Sequence, residues 1–189
     1  MQGKSNILSN MHHMIGAFEK KLPKIAESAF VHLSAEIYGD VTIEDKAAVF
    51  HHCVMRGDIN KIHVGACTNV QEHSILHVSD EFPCSLKEWV TVGHGAILHG
   101  ATVEKGALIG IRSVVLDGAV IGEEAWVAAG AVVLPGTKIP PRGLAVGIPA
   151  KVVREVKQEE VLEMYRRARR YIEKLAPWYK QLQERGEKT

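Results

Sequence analysis

Residues 103–139 read VEKGALIGIRSVVLDGAVIGEEAWVAAGAVVLPGTKI. Within this stretch an aliphatic residue returns at every sixth position: Val103, Ile109, Val115, Ile121, Val127 and Val133. Four places after each comes a small or short side chain, at Ala107, Ser113, Ala119, Ala125, Ala131 and Thr137. A strand has period two and a helix 3.6, so a strict period of six fits neither a single long strand nor a helix. It fits short strands joined by corners, each hexad supplying one large and one small inward residue. Glycines such as Gly39, Gly118 and Gly136 supply permissive backbone at the corners.

The pattern extends toward the N-terminus. A five-residue step leads back to Leu98 and Val92, and a loop separates these from Leu76, Val70 and Val64, with Ser74 and Thr68 in the small position. Beyond a three-residue slip the hexads resume as Met55, Val49, Ile43, Ile37, Val31 and Ile25. Their small partners are Ile59, Cys53, Ala47, Val41, Ala35 and Ala29. Repeats of this kind stack, so each strand pairs with its equivalents in the coils above and below, about 4.8 Å away. A flat sandwich would show irregular strand spacing. The fold class expected is an all-β solenoid over residues 21–154.

This signature resembles that of the hexapeptide-repeat proteins, in which three hexads make one triangular coil of a left-handed parallel β-helix. The handedness comes from the resemblance, since parallel crossovers are otherwise right-handed. After the repeat, Val161, Tyr165, Ala168, Ile172, Leu175, Tyr179 and Leu182 alternate steps of four and three. That is one face of an α-helix, with Arg and Lys opposite. Residues 155–189 therefore read as a C-terminal α-helix and tail, with a kink or break expected near Ala176 because Pro177 lies inside the pattern. Residues 1–20 read as an N-terminal extension with no fold assigned. They lack the apolar core of a secretory signal.

With 23 basic against 22 acidic side chains, the bulk charge gives no reason to expect nucleic acid or an anionic membrane as partner. No apolar run is long enough to span a bilayer. Cys53, Cys67 and Cys84 form no CxxC pair and no even framework, so a cytoplasmic location is expected. Cys53 falls on an inward small position, Cys67 at a corner or surface, and Cys84 in the exposed loop.

The 10 histidines invite a search for a metal site. Grouping the hexads in threes starts the third hexads of successive coils at Met55, Leu76 and Leu98. The next residue in each points outward: Arg56, His77 and His99. These form a vertical column, and two imidazoles on adjacent rungs can reach one ion. His94 belongs to the preceding hexad and a different face, so it should not reach that ion within its own chain. A cyclic trimer packing two faces together would bring it there. Three neutral imidazoles with an open position suit catalytic zinc, and also cobalt or iron(II). His12, His13, His32, His51, His52 and His63 read as solvated surface groups, and His73 as structural. Arg112 interrupts an apolar stretch and has no assigned role.

The segments Arg56-Gly57-Asp58, Asn69-Val70-Gln71 with His77, Val90 to His94 through His99-Gly100, and Gly147 to Lys151 resemble the γ-class carbonic anhydrases. The resemblance covers about residues 23–154. It implies that His77, His94 and His99 are metal ligands, with His94 from a neighbouring subunit. It also implies that Arg56 and Asp58 form an intersubunit ion pair close to the site. Gln71 would contact the metal-bound water, with Asn69 a nearby polar group. This sequence departs from the family archetype in four places. Ile59 stands where a Glu follows the Arg-x-Asp motif, and the acidic loop after the first ligand is short. His73 replaces a small residue, and Arg170 precedes Tyr171 where many homologues have Asn.

The activity implied is hydration of carbon dioxide to bicarbonate by a metal-bound hydroxide at a homotrimer interface. Two alternatives share the scaffold: a metal-dependent acyl-coenzyme A thioesterase, with Arg166, Arg167 and Arg169 as phosphate contacts, and a metal-binding trimer without catalysis. An acyltransferase of the same superfamily would need only a single catalytic His.

Overall fold

The computed structural model describes residues 14–186. The N-terminal residues 1–13, including His12 and His13, lie outside them. The chain forms a left-handed parallel β-helix with a C-terminal helix. Strands on one face pair in parallel through Val54–Val64, Ile75–His77, Ile97–His99, Val114–Val115 and Val132–Val133. A second face runs from Lys24–Ile25 through Cys84–Leu86 to Lys138–Ile139. The third carries Phe30–Val31, Ala48–Val49, Asn69–Val70, Thr91–Val92, Leu108–Ile109 and Trp126–Val127. The sequence repeat is thus a register: Ile37, Met55, Leu76, Leu98, Val115 and Val133 stack inward, all fully buried.

The first strand, Met14–Gly16, already pairs in parallel with Glu36–Ile43, inside the stretch given no fold above. Three further expectations need correction. Cys84 is not an exposed loop thiol: it opens strand Cys84–Leu86 and is fully buried opposite Ile62. The repeat therefore continues through Leu86, six residues before Val92, and the intervening loop is shorter than the sequence suggested. Ile59 is not inward but 51% exposed. Ile62 takes the inward place beside Val41, and the register shift between Gly39 and Val41 shows that the extra residues bulge outward there. His32 is not solvated. It is buried, with its ring stacked on His51.

Corners between strands force positive φ. Gly39, Gly118 and Gly136 adopt it as expected, and so do Cys67, His73 and Arg112. Arg112 is thus an exposed corner residue, whose N–H donates to the His94 carbonyl.

The C-terminal helix covers the third face. It begins as Gln158–Arg170, widens into a π-helical segment Tyr171–Leu175, and continues as Ala176–Glu184. The predicted break appears as this wide turn. Pro177 offers no N–H to the carbonyl four residues back and its ring crowds it, so the preceding turn opens without ending the helix. Ile172 and Ala176 pack on Phe30, Ala48 and Phe50, while Val161 and Met164 pack with Leu144 and Val156. Among the described residues, no helix is long and apolar enough to cross a membrane.

Candidate metal centre

The strand register pairs Arg56 with His77 and His77 with His99, so the three stand on successive rungs of one outer face. The two imidazoles are tilted, with centroids 4.8 Å apart, and His77 Nδ1 faces His99 Nε2 at 2.9 Å. Their other nitrogens are occupied. His77 Nε2 lies 3.2 Å from Asp58 Oδ1, and His99 Nδ1 lies 2.6 Å from Asp117 Oδ1. A carboxylate accepts, so each of those nitrogens carries the hydrogen. In the neutral rings the two facing nitrogens then present lone pairs to one another. That contact is unfavourable unless a proton or a metal cation lies between them. Two nitrogens of a tetrahedral zinc site are about 3.3 Å apart, so a shift of a few tenths of an ångström admits the ion.

Electrostatics favours the neutral form where it is needed. Burial holds the His77 pKa below its ordinary value, and the Arg56 charge and the neighbouring His99 push the same way against Asp58. Asp58 itself is held below the usual carboxylate range. Burial opposes this, but the Ile59 amide, Arg56 and His77 outweigh it. Arg56 and Asp58 form the ion pair within one chain.

His94 sits at the corner between the third face and the first, with its side chain 45% exposed. Its Nδ1 lies 2.6 Å from Glu72 Oε2, a close contact without the alignment of a hydrogen bond. Among the described residues no three His, Cys, Asp or Glu side chains within one chain are arranged to hold an ion.

Asn69 and Gln71 lie on the third face and its edge, buried. Gln71 Nε2 donates to Asn69 Oδ1 at 3.1 Å, and Asn69 Nδ2 donates to Thr91 Oγ1 at 2.8 Å. The Gln71 N–H donates to the Val92 carbonyl, which puts Gln71 beside the Gly93-His94 corner rather than the His77 column.

Glu72 and Asp117 escaped the sequence reading. Asp117 lies 18 residues beyond His99, about one coil along, and Glu72 occupies the corner one coil before His94, but nothing in the repeat marks a carboxylate as an imidazole's partner. Carboxylates behind ligating imidazoles fix tautomer and orientation. The column is walled by a short loop. The Asn60 side chain in the outward bulge donates to the Ser79 and Asp80 carbonyls, and Phe82 packs over Gly118 beside Gly100. Next to the column runs an outward apolar ladder: Val54, Ile75, Ile97, Val114 and Val132. Ile75 and Ile97 in it are more than a third exposed.

No family profile matches the chain. Individual relatives decide the matter: a carbonic anhydrase of Geobacillus kaustophilus is 46% identical over 171 residues, 90% of this chain and 93% of the relative. The chain belongs to the γ-class carbonic anhydrase family. The class is specified by a mitochondrial gamma carbonic anhydrase 2 of Arabidopsis thaliana, 37% identical over 91% of this chain and 65% of that protein. Among solved structures, a Bacillus cereus protein described as a putative acetyltransferase superposes with a TM-score of 0.87 at 42% identity, covering 88% of this chain and 97% of that one. The γ-class family thus shares its scaffold with proteins described as hexapeptide transferases.

Proposed function

We propose that this chain is a metal-dependent carbonic anhydrase that hydrates carbon dioxide to bicarbonate at a site shared between subunits of a homotrimer. The observation that carries this reading is the pair of facing nitrogens, His77 Nδ1 and His99 Nε2, 2.9 Å apart with carboxylates behind both rings. His94, with the Glu72 carboxylate close to its Nδ1, is the third donor and comes from the neighbouring subunit. A divalent cation held by these imidazoles, zinc or alternatively cobalt or iron(II), lowers the pKa of water to about 7.

The chain's own groups do the rest. Asp58 keeps the hydrogen of His77 on Nε2 and holds Arg56 at the rim. Asn69 fixes the amide group of Gln71, whose Oε1 is left to orient a small polar molecule near His94. The ladder containing Ile75 and Ile97 supplies an apolar face for the neighbouring subunit, which buries it and brings its corner to the column. Three unpaired cysteines, two of them fully buried, fit a cytoplasmic setting.

Stopped-flow measurement of carbon dioxide hydration tests the reading on protein loaded with zinc and, separately, with cobalt or anaerobic iron(II). Hydration well above that of His99→Ala is expected. A rate equal to that variant contradicts the assignment. Release of free coenzyme A from acyl thioesters in place of hydration would assign thioesterase chemistry to the same residues.

A further inference from the structure

The corner that carries His94 belongs to a stack of corners. The N–H of His73 donates to the His51 carbonyl at 3.0 Å, that of Gly95 to Glu72 at 2.8 Å, and that of Arg112 to His94 at 2.9 Å. His51, Glu72 and His94 therefore occupy one column on successive rungs. Glu72 stands between two imidazoles, with Oε2 at 2.6 Å from His94 Nδ1 and Oε1 at 4.0 Å from His51 Nδ1.

His51 is held on its other sides. Its ring stacks on His32 with centroids 3.5 Å apart, and Tyr179 of the C-terminal helix meets it edge to face at 4.8 Å. Its Nδ1 and the Oε2 of Glu72 are both shut off from solvent with no hydrogen-bond partner among the described residues, so Glu72 meets His94 by close charge contact alone. A buried polar atom in that condition is uncommon and calls for an explanation. The separation of 4.0 Å is too long for a hydrogen bond, yet short enough for the N–H dipole or charge to act on the carboxylate.

We propose that His51 is a positioning residue for the metal centre, acting through Glu72 on His94, and that Tyr179 holds it in place. The inference rests on the reading of His94 as a ligand. A carboxylate that meets its imidazole without an aligned hydrogen bond still swivels, and the ring beside it swivels with it. A donor facing the second oxygen restricts both. The direct carboxylate partner of a ligating histidine is typically worth 10- to 100-fold in metal affinity, so a group one step further back is expected to matter by about three- to tenfold. The same contacts give the C-terminal helix a route to the centre, because Tyr179 touches both His51 and His32.

Zinc affinity of the full-length protein, measured by competition with a chromophoric chelator, tests this. The proteins compared are wild type, His51→Phe, His51→Asn and His94→Ala. Phe keeps a ring between His32 and Tyr179 but removes the nitrogen, while Asn returns an N–H close to the Nδ1 position. The expected result is a three- to tenfold loss in His51→Phe with unchanged Tm, and recovery in His51→Asn. Equal affinities for wild type and His51→Phe, or equal loss in Phe and Asn, overturn the role of His51 while leaving the metal site standing. Wild type no tighter than His94→Ala overturns the metal reading, and the inference with it.

Discussion

Asp117 Oδ1 lies 2.6 Å from His99 Nδ1 and thereby decides which nitrogen of that ring is free. The bond fixes a hydrogen on Nδ1 and turns Nε2, with its lone pair, toward His77. Asp117→Asn presents an amide whose NH2 end cannot accept, so the tautomer is no longer enforced. Zinc affinity is expected to fall about 10- to 100-fold with the fold intact, read by chelator competition beside a thermal melt.

Gly100 makes room for that contact. A Cβ on Gly100 would run into the Asp117 carboxylate and come within 2.9 Å of the Phe82 Cβ, and its φ of 56° already disfavours a side chain. Gly100→Ala is expected to lower stability by about 1 kcal/mol or more and to weaken metal binding in the same direction as Asp117→Asn. Unchanged affinity in a folded Gly100→Ala protein would contradict the role given to Asp117.

The inward stack tolerates little loss of volume. Leu98 is fully buried between Leu76 and Val115. Leu98→Ala should cost about 2–5 kcal/mol in urea unfolding, since neighbouring coils cannot close on the space.

Burial pushes the thiols of Cys53 and Cys84 up to about 12, from an ordinary value of 9.0. Both remain protonated in the folded chain while the unfolded chain ionises them, so the folded state binds more protons above pH 9. Stability is therefore expected to fall as pH rises from about 9 toward 12. Urea midpoints across that range, with Cys84→Val giving a shallower decline than wild type, check the sign.

The outward ladder predicts association. Ile97→Asp places a charge beside Ile75 on the face assigned to subunit packing, and sedimentation should show the trimer dissociating. Full assembly of this variant would remove the ladder from the interface.

The fold was legible because the triangular coil imposes its period on the sequence. Once Met55, Leu76 and Leu98 are taken as equivalent, Arg56, His77 and His99 must align, and they do. Reading failed where the period is interrupted. The bulge after Asp58 displaces Ile59 outward and gives its place to Ile62, which a count of residues cannot locate. Cys84 was misplaced because a loop of polar residues hides the return of the repeat at Leu86. Asp117 and Glu72 were invisible for another reason. A carboxylate on a polar surface has no periodic signature, and its role emerges only when a particular imidazole nitrogen is found against it. The burial of His32 likewise depends on Phe30, His51 and Tyr179, the last far away in sequence.

The central claim is that one metal site takes His77 and His99 from one subunit and His94 from another. It is tested most directly by unfolding His94→Ala and His99→Ala proteins together, refolding the mixture and measuring bound zinc. Neither variant alone should bind stoichiometric metal. In a mixed trimer one junction joins an intact His77–His99 pair to an intact His94, so the mixture should recover about one site per four subunits. A mixture that binds no more zinc than the two variants refolded apart would contradict a site shared between chains.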